Sequence, residues 1–269
     1  MAENSQGKSS SKGSAGAIAG GLTILAVLAA KSKGLLFGFL SLLKAGWLLK
    51  SFTTMFVSFG LYAMLYGWQF AVTLIALLYV HEMGHFVYMK KMGFKPEAPV
   101  FVPFIGAYVA MKNLPEDKAT HAWVAYAGPF AGAMAALACW ELGLMTGNNF
   151  LLAAANFGFV LNLLQLVPVR PFDGGFIAEC ISKWLIIPGM VALIILAIML
   201  KSILLIIVGA VGFFRMVALF KGGGAVSTSR EATAGERVGV TLAYIALAAI
   251  LGYSYFLSGE VLSQIHKQV

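Results

Sequence analysis

The run from Trp68 to Tyr88 is apolar enough and long enough to cross a bilayer, yet His81, Glu82 and His85 fall within five positions of it. At mid-bilayer an acidic or basic side chain costs roughly 2.5–3.5 kcal/mol. Three ionisable residues so close together need a compensating partner. Residues four apart on a helix stack on one face, so His81 and His85 can both point at a single ion. The stretch His81-Glu82-Met83-Gly84-His85 is an H-E-x-x-H motif. Two imidazoles at that spacing suit zinc, and Glu82 beside them is placed to take a proton from water. The competing reading is a pair of helix histidines that only satisfy hydrogen bonds. In a membrane, a metal is the more economical partner.

The rest of the chain supports a membrane setting. Of 269 residues, 60% are hydrophobic and 11% charged, with a mean hydropathy of +0.86. No ordinary soluble domain has that balance. The expected class is an all-α polytopic integral membrane protein with about 6–8 membrane helices, some of them short. Apolar residues come in long runs and not in alternation, which argues against a β-barrel. The net charge of +8 is read as marking cytoplasmic loops, with no nucleic-acid partner. Lys90, Lys91 and Lys95 follow the motif directly. They place the zinc site towards the cytoplasmic side, in a multi-pass protein of a bacterial-type cell membrane. Cys139 and Cys180 offer no disulfide framework and no metal spacing, and are read as packing residues.

Residues 1–14 read as a disordered polar tail and 15–50 as N-terminal apolar helices. The core is expected over 51–220, with a break at Gly67-Trp68. Residues 221–237, rich in Gly, Ser and Thr, read as a cytoplasmic linker, and 238–269 as a last membrane helix to about Leu257 with a short polar tail. Pro96, Pro99 and Pro103 exclude a continuous helix after the motif. Val100 to Met111 is apolar, β-branched and aromatic, and too short to span. It predicts a re-entrant β-hairpin turning near Gly106. The span from His121 to Met145 carries a small-residue face of Ala127, Gly128, Gly132 and Ala135, which permits close helix approach.

A catalytic zinc commonly has three protein ligands, so a third must come from elsewhere. Asp173 sits in Pro171-Phe172-Asp173-Gly174-Gly175, where the glycines let the backbone approach another group. Its competing reading is an N-cap for the short helix that follows. Glu179 on the same helix is the second choice. Glu141 lies near the outer end of its span. His121 starts a span and is read as interfacial, and His266 lies in the tail.

These motifs together resemble the site-2 protease family of intramembrane zinc metalloproteases. The resemblance rests on His81-Glu82-Met83-Gly84-His85, on Ala127-Gly128-Pro129-x-x-Gly132, and on Pro168 with Phe172-Asp173-Gly174-Gly175. It covers roughly Trp68 to Ser182. It implies one zinc per chain held by His81, His85 and Asp173, with Glu82 as catalytic acid and base. It also implies transmembrane protein substrates and a membrane-re-entrant β-structure after the motif helix. Two positions depart from the family pattern. Gln165 stands where the family often has Asn, with Asn162 one turn earlier, and Phe172 stands where Leu is usual. The amides of Gln165 and Asn162 are candidates for contacting substrate or oxyanion. Val102 and Tyr108 are candidates for a hairpin that cradles an unwound substrate. The alternatives are a non-proteolytic zinc-binding membrane scaffold and a metal-binding transporter.

Overall fold

The computed structural model describes residues 47–103, 106–110, 117–221 and 230–268. The expected polar tail over 1–14, and the apolar stretch over 15–50 up to residue 46, lie outside the described residues. The chain divides into two compact units, 1–53 and 54–269. Of the first, only the opening turns of a helix are described.

Helix α1 (Trp47–Tyr66) ends where Gly67 adopts φ +89°, a backbone conformation open to glycine and strained for other residues. Helix α2 (Trp68–Lys91) begins at once. Its buried positions Ala71, Ile75, Leu78, Glu82, His85 and Met89 recur at alternating steps of four and three. That is the spacing of one helix face, so the packing stripe of α2 runs straight through the metal motif. Lys90 and Lys91 occupy its last turn, where cations complement the helix dipole.

The expected hairpin is present and smaller than the sequence suggests. Strand β1 (Val100–Val102) pairs antiparallel with β2 (Gly106–Tyr108), with Val100 opposite Tyr108 and Val102 opposite Gly106. Gly106 therefore opens the second strand and is not the tip of the turn. Phe101 on β1 is buried against Tyr62, Ala71, Ile75 and Leu78, and its N–H donates to Thr54 Oγ1 at 3.2 Å. One side of the hairpin is thus occupied by α1 and α2.

Helix α3 (Lys118–Thr146) is capped by Asp117, whose Oδ1 accepts from Thr120 N at 2.8 Å, and ends at Gly147 in the left-handed region. Its buried face is mostly small: Ala122, Ala125, Gly128, Gly132, Ala133 and Ala136. Small residues let helices approach closely where lipid offers no hydrophobic drive. A Cβ at Gly84 of α2 would lie 2.3 Å from Ala127 O of α3, so these two backbones are in direct contact. Helix α4 (Asn149–Gln165) is capped by Asn148 and returns along α3.

The chain then makes a tight passage through Pro168 and Pro171 into the short helix α5 (Asp173–Ile181). Arg170 and Glu179 form a half-buried ion pair at 2.5 Å, and the Arg170 guanidinium lies 4.0 Å from the Phe176 ring centre. Helices α6 (Ile186–Met199) and α7 (Ile203–Phe220) form an antiparallel pair turning at Lys201. Helix α8 (Ala234–Gln268) is longer than expected at both ends. It begins inside the expected linker, and the polar residues read as a tail continue the helix. Asn156 of α4 donates to Ser258 Oγ of α8 at 2.8 Å, which fastens this extension to the bundle. At its other end Arg230 pairs with Asp117 and Glu236, and Lys118 with Glu231.

Among the described residues four helices are long and apolar enough to cross a membrane: Trp68–Lys91, Lys118–Thr146, Ile203–Phe220 and Ala234–Ile265. Asn149–Gln165 and Lys183–Met199 are apolar but shorter. The molecule is an α-helical integral membrane protein with one small hairpin.

Candidate active site and metal centre

Three side chains from distant parts of the sequence meet at one point. His81 and His85 come from α2, one turn apart, and Asp173 from the first residue of α5. His81 Nε2 lies 3.0 Å from Asp173 Oδ2, His85 Nε2 lies 3.3 Å from the same oxygen, and the two Nε2 atoms are 3.2 Å apart. His81 is fully buried and Glu82 and His85 nearly so. Among the described residues this is the one group of three His, Cys, Asp or Glu side chains that could hold a metal.

The donor set fits a cation. His85 Nδ1 lies 2.8 Å from the carbonyl oxygen of Val124. A carbonyl can only accept, so Nδ1 carries a proton, and in the neutral ring Nε2 is left with a lone pair facing the centre. The carboxylate oxygen adds a second, and His81 Nε2 closes the triangle. Electron-pair donors packed this closely repel unless a positive charge lies among them. Gly128 of α3 is what admits the two rings. A Cβ there would fall 2.2 Å from His85 Nε2 and 2.8 Å from His81 Nε2.

Glu82 does not join the triangle. It lines a cavity of about 350 Å³ together with His85 and Asp173. Gln165 lines the same cavity from the end of α4, as do Ala107, Tyr108 and Val109 from the hairpin. The backbone N–H of Val109 lies within hydrogen-bonding reach of the Glu82 carboxyl. Ala107 and Tyr108 of β2 thus reach the cavity, while Phe101 of β1, with Ala107 beside it, packs on α1 and α2. Tyr108 stands at the cavity, and Val102, on β1, does not line it.

Asn162 also departs from its expected place. It is fully buried and does not line the cavity; its Oδ1 lies 2.8 Å from His81 Nδ1 and its Nδ2 donates to Gly158 O at 2.8 Å. Glu179, the second choice as a ligand, is engaged by Arg170. His121, read as interfacial, is buried, lines the cavity and stacks parallel to Phe176 at 6.3 Å. The available signal was helical spacing. His121, Val124 and Gly128 stand at i, i+3 and i+7, on the face of α3 that meets the histidines.

The similarity to site-2 proteases has support from comparison. Residues 69–148 match the family described as Peptidase family M50. The chain is similar to "Probable zinc metalloprotease EGY1, chloroplastic" of Arabidopsis thaliana, 31% identical over 118 residues, covering 42% of this chain and 20% of that protein. The protein of the same name from Oryza sativa subsp. japonica is 29% identical over 118 residues, covering 42% of this chain and 19% of that protein. The chain thus spans about a fifth of the length of these curated relatives. Among solved structures it is similar to the site-2 protease from Methanocaldococcus jannaschii, with 21% identity and a TM-score of 0.41 over 68% of this chain and 88% of that chain.

Proposed function

We propose that this chain is an intramembrane zinc metalloprotease that hydrolyses peptide bonds in or near the transmembrane segments of other membrane proteins. The observation that carries the reading is the donor triangle with Glu82 in the adjoining cavity. Donors at the corners of a tetrahedron with bonds of ~2.0–2.1 Å stand ~3.3 Å apart. The separations here are 3.0, 3.2 and 3.3 Å. His81, His85 and Asp173 would hold the ion beside the cavity that Glu82 lines. The Peptidase family M50 match over the motif helix supports the same reading.

Zinc bound there supplies Lewis acidity, polarising a carbonyl and lowering the pKa of water from ~15.7 towards ~7. The remaining work falls to the chain. Glu82 accepts the proton of the attacking water and returns it to the leaving amine. The Gln165 amide, at the cavity wall, is placed to hold a substrate carbonyl. Lys90, Lys91 and Lys95 beyond the motif support a cytoplasmic orientation of the site. A structural metal site would have no use for a carboxylate facing its cavity, and this disfavours the scaffold alternative.

Purified protein should cleave a membrane-anchored test substrate, stop when treated with a chelator, and resume when zinc is restored. Asp173→Ala should retain little zinc and no measurable cleavage. Chelator-resistant cleavage would remove the metal from the reaction.

The hairpin gives the substrate its path. The outward N–H of Phe101 on β1 is taken by Thr54, so among the described residues the edge left for an extended segment is that of β2. Added strands bind through main-chain hydrogen bonds, which offset the loss of those in an unwound helix. Ala107→Pro removes a donor of that edge, because Ala107 pairs with Phe101, whose own N–H turns outward to Thr54. It should keep its zinc and lose most cleavage of a transmembrane substrate. Normal cleavage by the variant would exclude the hairpin from substrate binding.

A further inference from the structure

We propose that Asn162 is a positioning residue of the metal centre, fixing the tautomer and orientation of His81. The inference rests on the proposed metal site.

The amide of Asn162 has a determined direction. Its near neighbours are Gly158 O at 2.8 Å and His81 Nδ1 at 2.8 Å. A carbonyl oxygen accepts only, so the NH2 group must face Gly158. Oδ1 is then left to face His81, and it too can only accept. Nδ1 of His81 must therefore carry a proton, and in the neutral ring that binds a metal Nε2 is left with its lone pair toward Asp173 and His85. Val124 O does the same for His85. One ligand is thus set by a main-chain carbonyl of α3 and the other by a side chain of α4.

The pocket around the amide is close-fitting. A Cβ at Gly132 would lie 2.1 Å from Asn162 Oδ1 and 2.5 Å from both Cγ and Nδ2. With no exposure, Asn162 is out of reach of substrate. Groups that hold the far nitrogen of a metal-bound imidazole typically change metal affinity by ~10–100-fold when removed. Asn162 occupies that place for the fully buried ring of the centre, where no water can substitute.

The test is zinc affinity, measured by competition with a chelator on the purified full chain, with circular dichroism to confirm folding. Asn162→Leu should bind zinc ~10–100-fold more weakly than wild type. Asn162→Asp should bind more tightly than the Leu variant, because a carboxylate also accepts from Nδ1 and raises the basicity of the ring. If Asn162 only packs helices together, the order reverses, since Leu fills the site and a buried carboxylate destabilises it. Gly132→Ala supplies a second route. It should weaken zinc binding in the wild type and add nothing in an Asn162→Leu background. Affinity unchanged in Asn162→Leu, or weaker in the Asp than in the Leu variant, overturns the inference. Failure of the wild type itself to bind zinc would instead overturn the proposed metal site.

Discussion

Glu82→Gln should bind zinc as tightly as the wild type and cleave ~10²–10⁴-fold more slowly, a loss of roughly 3–5 kcal/mol of transition-state stabilisation. The substitution keeps the size of the side chain and removes its ability to take a proton. Glu82 lines the cavity but stands outside the three-donor cluster, so the ligands are untouched. The amide can still accept from the Val109 N–H, so the hairpin contact should survive. Metal content and single-turnover cleavage of one membrane-embedded substrate, measured side by side, check the expectation. A variant that loses both zinc and activity would make Glu82 part of the metal site. One that keeps both would remove it from the chemistry.

Gly128→Ala should abolish metal binding with a single added carbon, weakening affinity at least ~100-fold, no less than the removal of an outer-sphere partner. The new Cβ would sit 2.2 Å from His85 Nε2 and 2.4 Å from Cε1. The helices cannot easily separate to make room, because the backbone of α3 already rests on Gly84 of α2. The ring has to leave instead, and the carbonyl of Val124 then loses its donor. Zinc content, with helical content as a control, reads the effect. Full zinc loading in Gly128→Ala would mean that α2 and α3 slide past one another more freely than their contact implies.

The three-donor cluster of the proposed metal site was legible because its signals are local. His81, Glu82 and His85 sit within one turn or so of helix, and Asp173 announces itself by its two following glycines. What lay beyond local reach depended on how a helix is rotated about its own axis. Asn162 and Gln165 are three residues apart and looked interchangeable, yet close packing against Gly132 turns Asn162 to the histidine while Gln165 reaches the cavity. The place of His121 at the cavity depends on the same kind of rotation. Gly128 against the histidine rings sets it for α3, and the spacing on α3 marks that face without naming the partner helix. The hairpin was legible from its prolines and β-branched residues, but which strand faces the cavity was not. That is decided by Thr54 and the α1–α2 cluster, which claim β1. The helical character of the last residues was hidden by their polarity, and rests on contacts such as Asn156 with Ser258, 102 residues apart.

His81 and Asp173 are separated by 92 residues of chain. At a synthesis rate of ~5–20 residues per second, the aspartate emerges ~5–20 s after the histidine. Helices α3 and α4 must be made in between, and both supply contacts that orient the imidazoles. For that interval the growing polypeptide displays two histidines and a glutamate without a complete nest for the ion. The proposed hydrolytic centre is therefore completed only after α3 and α4 have been synthesised. A translation arrest or truncation anywhere ahead of Asp173 leaves a fragment without the third donor of the proposed site.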